Sequence, residues 1–494
     1  MNGNVISIKG RNITVAYHPD GGEPRRGDAL LVLEQGQNGA GVLAQVIDFD
    51  SASYPGDTES ALHELLETTI AERYDLVAQE PALTDLKQIK LAKLKIRKSL
   101  RGNRLEPWDG HIPSRNVVIQ SVDPDVLLTN ILPANPLFSL AISEFEGRRV
   151  VTDAMFLDKV NVITGDKGTG KSHLAKLVVN EIVQYQAPTI VFDVNREFTN
   201  LPGAVSLRAG DNYRFSLGEV GFPFVMALID EMNPLTDVSR GAFEFNGPRF
   251  MNAEIQASGY ATIGYLREQA ERSRFHSNDM VNGAIEQRLR MLENSGLFEN
   301  NPAAPSFAQR LEDAVQAGGF LVLDLAEQRP GRLQALARGL LRRVEAICRE
   351  EQQSGRERYP FLFFEEAHMY AAPTEILNLI TRGRHLGLTV FFMTNSPSKL
   401  DEVVFRQIDN LFVTGLSHSA DLRLISKSAL SDEDTLESLA VGLGATQALF
   451  IGRVTDKYPL VVDVDPLPDE FPATGATRSF WDAARPGGRQ AGAA

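Results

Sequence analysis

Beginning at Val160, the run VNVITGDKGTGKSHLAKLVV reads as an apolar strand, a glycine-rich turn and an amphipathic helix. The turn places Gly165, Gly170, Lys171 and Ser172 in the order G-x-x-x-x-G-K-[ST]. Few local patterns constrain a fold so tightly. Glycines let successive backbone N–H groups turn inward around a phosphate, where side chains would block them. The helix that follows adds its positive N-terminal end. Lys171 then supplies a point charge to the β- and γ-phosphates, and the Ser172 hydroxyl is a ligand for Mg²⁺. We expect ATP and Mg²⁺ as cofactors. The expected nucleotide contacts come from Gly165, Lys167, Gly168, Thr169, Gly170, Lys171, Ser172 and the adjoining His173. For the His173 side chain itself, a place on the helix surface is the plainer reading.

Hydrolysis needs more than a phosphate cradle. It needs a carboxylate for the metal and another to activate water, both at the end of a buried strand. The segment YPFLFFEEAHMY supplies Glu365 and Glu366 after the apolar run Phe361 to Phe364. Adjacent strand residues point opposite ways. That allows Glu365 to face the metal while Glu366, as the chain turns, reaches the attacking water. The competing reading is an acidic helix start stabilised by the macrodipole.

The chain of 494 residues is too long for one ordinary domain. The first zone, Met1 to about Pro136, opens with VISIKG, NITVAY, DALLVLEQ and GVLAQVIDF, short alternating runs that predict a small β-barrel or sandwich. ALHELLETTIAERYDLV is helix-like, Leu86 to Arg101 fits a charged strand, and NVVIQSV a closing strand. The second zone, 137–466, alternates apolar runs with amphipathic helices: VNVIT, TIVFDV, FLVLDL, FLFFEE, LTVFFMT, NLFVTG and QALFIG. Such runs suit a parallel sheet buried on both faces. From about 215 to 316 helical patterns replace the strands, as in AEIQASGYATIGYLREQAERSRF and GAIEQRLRMLENSG, which predicts an inserted helical subdomain. The remainder, 467–494, is rich in Gly, Ala, Pro and Arg and reads as a partly disordered tail.

The single cysteine, Cys348, rules out an intrachain disulfide and argues against a thiolate metal site. The start lacks the pattern of a secretion signal, and no run suits a bilayer span, so a cytoplasmic, membrane-free protein is expected. A net charge of -14 argues against a surface that coats nucleic acid indiscriminately, yet leaves room for a basic channel inside an acidic ring.

Taken together, these motifs resemble the HerA branch of the HerA/FtsK superfamily. EEAHMY is similar to that family's second acidic signature, with Glu365 where Asp is usual. VFDVNREFTNL is similar to its D-x-x-G-E-[YF] element, with Asp193, Glu197 and Phe198 retained and Arg196 in place of Gly. TRGRHLGLTVFFMTNSPSKL keeps Gly383, Arg384 and Gly387, and puts Asn395 where a sensor Gln is usual. The resemblance implies a RecA-like P-loop ATPase core with an inserted helical subdomain and an N-terminal small β-barrel. It implies catalytic roles for Glu366, Glu365, Asn395 and Arg384, the last as an arginine finger serving a neighbouring subunit, and a weaker trans role for Lys159. It further implies a homohexameric double-stranded DNA translocase with a NurA-like nuclease partner, or with a nuclease or sirtuin-like NADase effector in antiphage defence. Arg267, Arg272, Arg288 and Arg290 are channel candidates, although a solvated helix face is the plainer reading of each. Two other readings stay open: a nucleotide-gated scaffold that activates an effector, and a conjugation or secretion ATPase.

Overall fold

The computed structural model describes residues 3–17, 23–35, 40–51, 90–102, 104–114, 117–371, 373–428 and 430–471. The helix-like run expected near residue 61 and most of the expected tail lie outside them. Packing divides the chain into two units: Met1–Asp153 with Gly415–Val464, and Ala154–Thr414 with Asp465–Ala494.

In the first unit, seven antiparallel strands follow the pattern expected from the alternating runs. Their order is Gly3–Lys9, Asn12–Tyr17, Lys90–Arg101, Ala40–Ser51, Ala29–Glu34 and Val117–Ser121, with Arg104–Pro107 paired to Lys90–Arg101. The charged run is a central strand. Its Ala92, Leu94 and Ile96 enter a core with Ile13, Val15, Val32, Val42 and Val46. Register shifts between Leu43 and Ala44 and between Val46 and Asp48 bend the long strand. The edge strands Gly3–Lys9 and Val117–Ser121 come within 8 Å of each other between Cα atoms, so the sheet curls into a nearly closed barrel. The same unit holds the hairpin Ser139–Phe145/Arg148–Asp153 and the antiparallel pair Gln447–Gly452/Leu460–Val464.

The second unit is α/β. Seven parallel strands run in the order Ala204–Leu207, Phe320–Asp324, Thr189–Asp193, Phe361–Glu365, Thr389–Thr394, Val160–Thr164 and Asn410–Val413. Six of these are the apolar runs read from the sequence. The seventh, Ala204–Leu207, is too short and too polar to announce itself. The central strands are buried along their whole length, as a sheet covered on both faces requires. From Leu217 to Gln316 the chain forms six helices. The first helical run is broken at Gly259, whose φ of 79° ends the helix Asp237–Ser258 before Ile263–Glu271 begins. Because all seven strands are parallel, their C-terminal ends gather at one edge, and the functional residues lie there.

Candidate functional site

The strand Val160–Thr164 delivers the chain into the turn 165–170, and the helix Lys171–Gln184 leaves it. Gly168 and Gly170 have φ of 85° and 102°, and nothing lies within 4 Å of the place a Cβ would take at either. The cradle is thus open on its ligand side and needs glycine twice over. Lys171 donates to the Asp166 carbonyl at 2.9 Å, folding its ammonium across the loop. Burial lowers the Lys171 pKa, opposed by the fields of Glu366 first and then Glu197, Asp166 and Glu365. A half-buried cation over an open ring of backbone donors fits a polyphosphate. Ser172 sits beside it at the second helical position. Thr169 is pinned from beneath, its hydroxyl donating to the Asp166 carbonyl and lying 2.8 Å from that of Thr414. His173 turns elsewhere: its Nε2 lies 2.6 Å from the carbonyl oxygen of Asp465.

The strand order puts Thr389–Thr394 between the loop strand and the strand Phe361–Glu365. The two carboxylates therefore diverge along the sheet edge. Glu366 turns toward the loop side, where it accepts from the Thr394 hydroxyl at 3.1 Å and from the Asn395 backbone N–H at 3.1 Å. Its own backbone is left-handed, φ 47°, an uncommon geometry for a glutamate and one that concentrates at functional sites. The Asn395 side chain accepts from the Ser396 hydroxyl at 2.9 Å. Glu365 turns the other way. Its Oε2 accepts from the N–H groups of Val194 and Asn195, at 2.9 and 3.0 Å, and its Oε1 from the Asn195 amide at 2.7 Å. In this geometry it braces the neighbouring loop, and reaching a metal would require a bridging water or release of these bonds.

Burial, and after it the nearby Asp193 charge, pushes the Glu365 carboxyl up to about 8. A carboxyl protonated in the folded chain and ionised in the unfolded one contributes its stability in full below the ordinary carboxylate range. That contribution is lost as the pH rises through the raised folded value. The melting temperature should therefore fall from pH 6 to pH 9, and Glu365→Gln should flatten that slope. Thermal melts at the two pH values check this, and equal slopes in both proteins would refute it.

Glu365 belongs to a longer row. Asp193 closes the turn after its strand by accepting from the N–H groups of Asn195, Glu197 and Phe198. Arg196 occupies φ 58°, which explains physically why glycine suits that position. Here the arginine reaches Asp324 at 3.1 Å and Glu327 at 2.9 Å, and Arg208 also binds Asp324 at 2.7 Å. Hydrogen bonds thus link the ends of five neighbouring strands. Under this row, Phe364 stacks on Phe192 at 4.6 Å and on Phe392 at 5.6 Å.

Two groups near the site were not singled out by sequence reasoning. Lys176 is completely buried, its ammonium over the Phe198 ring at 5.5 Å and without a hydrogen-bond partner among the described residues. Burial lowers its pKa, with Glu197 the leading opposing charge. Thr394 orients Glu366. Neither carries a motif; only the strand order shows what each faces. The Arg384 side chain lies outside the described residues, although its backbone is part of the helix Pro373–Leu386. Lys159 lies just before the loop strand Val160–Thr164, about 20 Å of extended chain from the phosphate turn. The helical arginines are engaged locally: Arg267 with Glu293, Arg272 with Glu268, Arg290 with Glu286, and Arg288 with the Asn233 carbonyl.

Residues 146–344 match the family described as Helicase HerA, central domain. The chain has a HerA-type central domain. The resemblance read from the motifs is therefore borne out for that domain. Over 166 residues the chain is 25% identical to the DNA double-strand break repair helicase HerA of Saccharolobus solfataricus, covering 31% of this chain and 32% of that protein. The match thus spans about a third of that relative's length. The fold is similar to that of VirB4 of Thermoanaerobacter pseudethanolicus, with a TM-score of 0.52 and 15% identity over 69% of this chain and 100% of that one. The plasmid coupling protein TrwB in complex with the ATP analogue ADPNP gives a TM-score of 0.49 at 14% identity, covering 72% of this chain and 95% of that one. No helix among the described residues is long and apolar enough to cross a membrane.

Proposed function

We propose that this HerA-type chain is an ATP-driven translocase of double-stranded DNA that works as a ring of identical subunits, six by the family reading. The sequence segments 1–136, 137–466 and 467–494 would then be a barrel tier, a RecA-like motor with the helices Leu217–Gln316 inserted, and a tail. One observation carries the motor: Glu366 is held at the strand end beside Asn395 and is the leading charge acting on the phosphate-loop Lys171. When bound, Mg²⁺–ATP supplies the phosphoryl group and its counter-charge. Lys171 and the turn 165–170 would hold the phosphates, Ser172 would ligate the metal, and Glu366 would take the proton of the attacking water. Asn395 would orient that water, Glu365 would stiffen the rim and reach the metal through water, and Arg384 and Lys159 would serve the neighbouring subunit's site. Cutting or other chemistry would belong to a partner, a NurA-like nuclease or a nuclease or sirtuin-like NADase defence effector, and the setting would be cytoplasmic.

The test is the ATPase rate with and without linear double-stranded DNA, with Lys171→Ala as the blank. Strong stimulation by DNA, absent in the variant, is expected. Hydrolysis indifferent to DNA would transfer the reading to a nucleotide-gated scaffold. A second reading, a conjugation or secretion ATPase, draws on the fold likeness to VirB4; partition of the purified chain onto membranes only with a membrane-protein partner would favour it.

A further inference from the structure

Far from the phosphate loop in sequence, the first unit contains an open cavity of about 770 Å³. Five cations line it, Arg11, Lys95, Arg97, Lys98 and Lys457, against the carboxylates of Asp432 and Asp456. This local excess of three positive charges stands in a chain whose net charge is -14. Three of the cations, Lys95, Arg97 and Lys98, are built into the strand Lys90–Arg101, whereas Arg11 and Lys457 are exposed. Lys95 and Lys98 are each only 8% exposed, although both sit on the strand Lys90–Arg101. Arg97 is held by Gln45 at 3.0 Å and by Thr435 at 2.9 Å. The two acids are already engaged, Asp432 by Lys95 at 3.1 Å and Asp456 by Lys98 at 2.5 Å, with Asp434 a further 4.0 Å from Lys95. Arg11 and Lys457 have no carboxylate partner among the described residues. Arg11 lies instead over the Trp108 ring, 4.6 Å from its centroid. Burial lowers the Arg97 pKa, and the like charge of Arg11 adds to that effect. Tyr458 lines the same cavity and is 2% exposed, and its buried hydroxyl has no hydrogen-bond partner among the described residues.

We propose that this cavity binds a phosphate group, with Arg11 and Lys457 as its free cations and Arg97 and Lys95 as its fixed floor. Guanidinium and ammonium groups converging on one partly desolvated volume favour a compact multivalent oxyanion over a single carboxylate. Trp108 at the wall gives an aromatic face for whatever carries the phosphate. None of its residues belongs to the unit that holds the phosphate loop.

The phosphate has two possible sources, a free phosphate compound or the backbone of a nucleic acid, and one experiment separates them. The chain has two tryptophans, Trp108 and Trp481, so the full-length Trp481→Phe protein reports through Trp108 alone. It is titrated at low salt with inorganic pyrophosphate and, separately, with a short DNA duplex. A saturable change in fluorescence is expected, weakened at least about tenfold in the Arg11→Gln/Lys457→Gln protein. It should remain intact in Lys171→Ala, which separates this site from the phosphate loop. Saturation by pyrophosphate identifies a free phosphate compound as the ligand class, and saturation by duplex alone identifies the phosphodiester backbone. No saturable change with either probe, or an undiminished response in the double variant, overturns the proposal.

Discussion

Replacing Glu366 by glutamine should lower the rate of ATP hydrolysis by about 10²–10⁴-fold, the usual contribution of a positioned general base, while nucleotide binding persists. Glutamine keeps one oxygen, which at the Oε2 position still accepts from the Thr394 hydroxyl at 3.1 Å and from the Asn395 N–H at 3.4 Å, while the 3.1 Å acceptor at Oε1 and the basic oxygen are lost. The same exchange at Glu365 should cost far less, because that carboxyl group is occupied with Val194 and Asn195. Single-turnover hydrolysis, paired with binding of a fluorescent nucleotide, measures both variants. A Glu366→Gln protein with near-normal turnover, or a Glu365→Gln protein that is the more crippled of the two, would reverse the assignment.

The second large effect concerns stability. Phe364→Ala should destabilise the second unit by about 3–5 kcal/mol, the range for emptying a buried phenylalanine site. The ring is fully buried and stacks on Phe192 and Phe392, on strands to either side, so neither neighbour can collapse into the space without leaving its own partners. Denaturant unfolding monitored by circular dichroism is the measurement, and a loss below about 1 kcal/mol would mean that the layer repacks freely. Because Glu365 and Glu366 directly follow this residue, turnover should fall in the same variant even where the protein remains folded.

How much of this was legible beforehand depended on how local the information was. The phosphate turn is encoded within eight residues, since Gly168 and Gly170 are demanded by backbone geometry at their own positions. The buried strands were equally plain, because a sheet covered on both faces needs unbroken apolar runs. The two glutamates could be found, but which way each faces could not. That depends on which strand lies on which side, a long-range property absent from FLFFEEAH. Thr394 and Lys176 escaped for the same reason. Arg196 was visible as a departure from glycine, whereas its left-handed backbone and its tie to Asp324 needed the fold. The break at Gly259 was missed because periodicity continues on both sides of it.

The row of side chains along the sheet edge, from Asn395 through Glu366, Glu365 and Arg196 to Asp324 and Arg208, also shapes how this protein can vary. Each member shares a hydrogen-bond partner or a strand end with the next, so substitutions within the row are not additive. A sequence that drifts at one of these positions changes the cost of change at the others. Exchanges that look conservative alone, Glu for Asp or Asn for Gln, are therefore expected to have effects that depend on the rest of the row, so that restoring one member by itself differs in outcome from restoring the set.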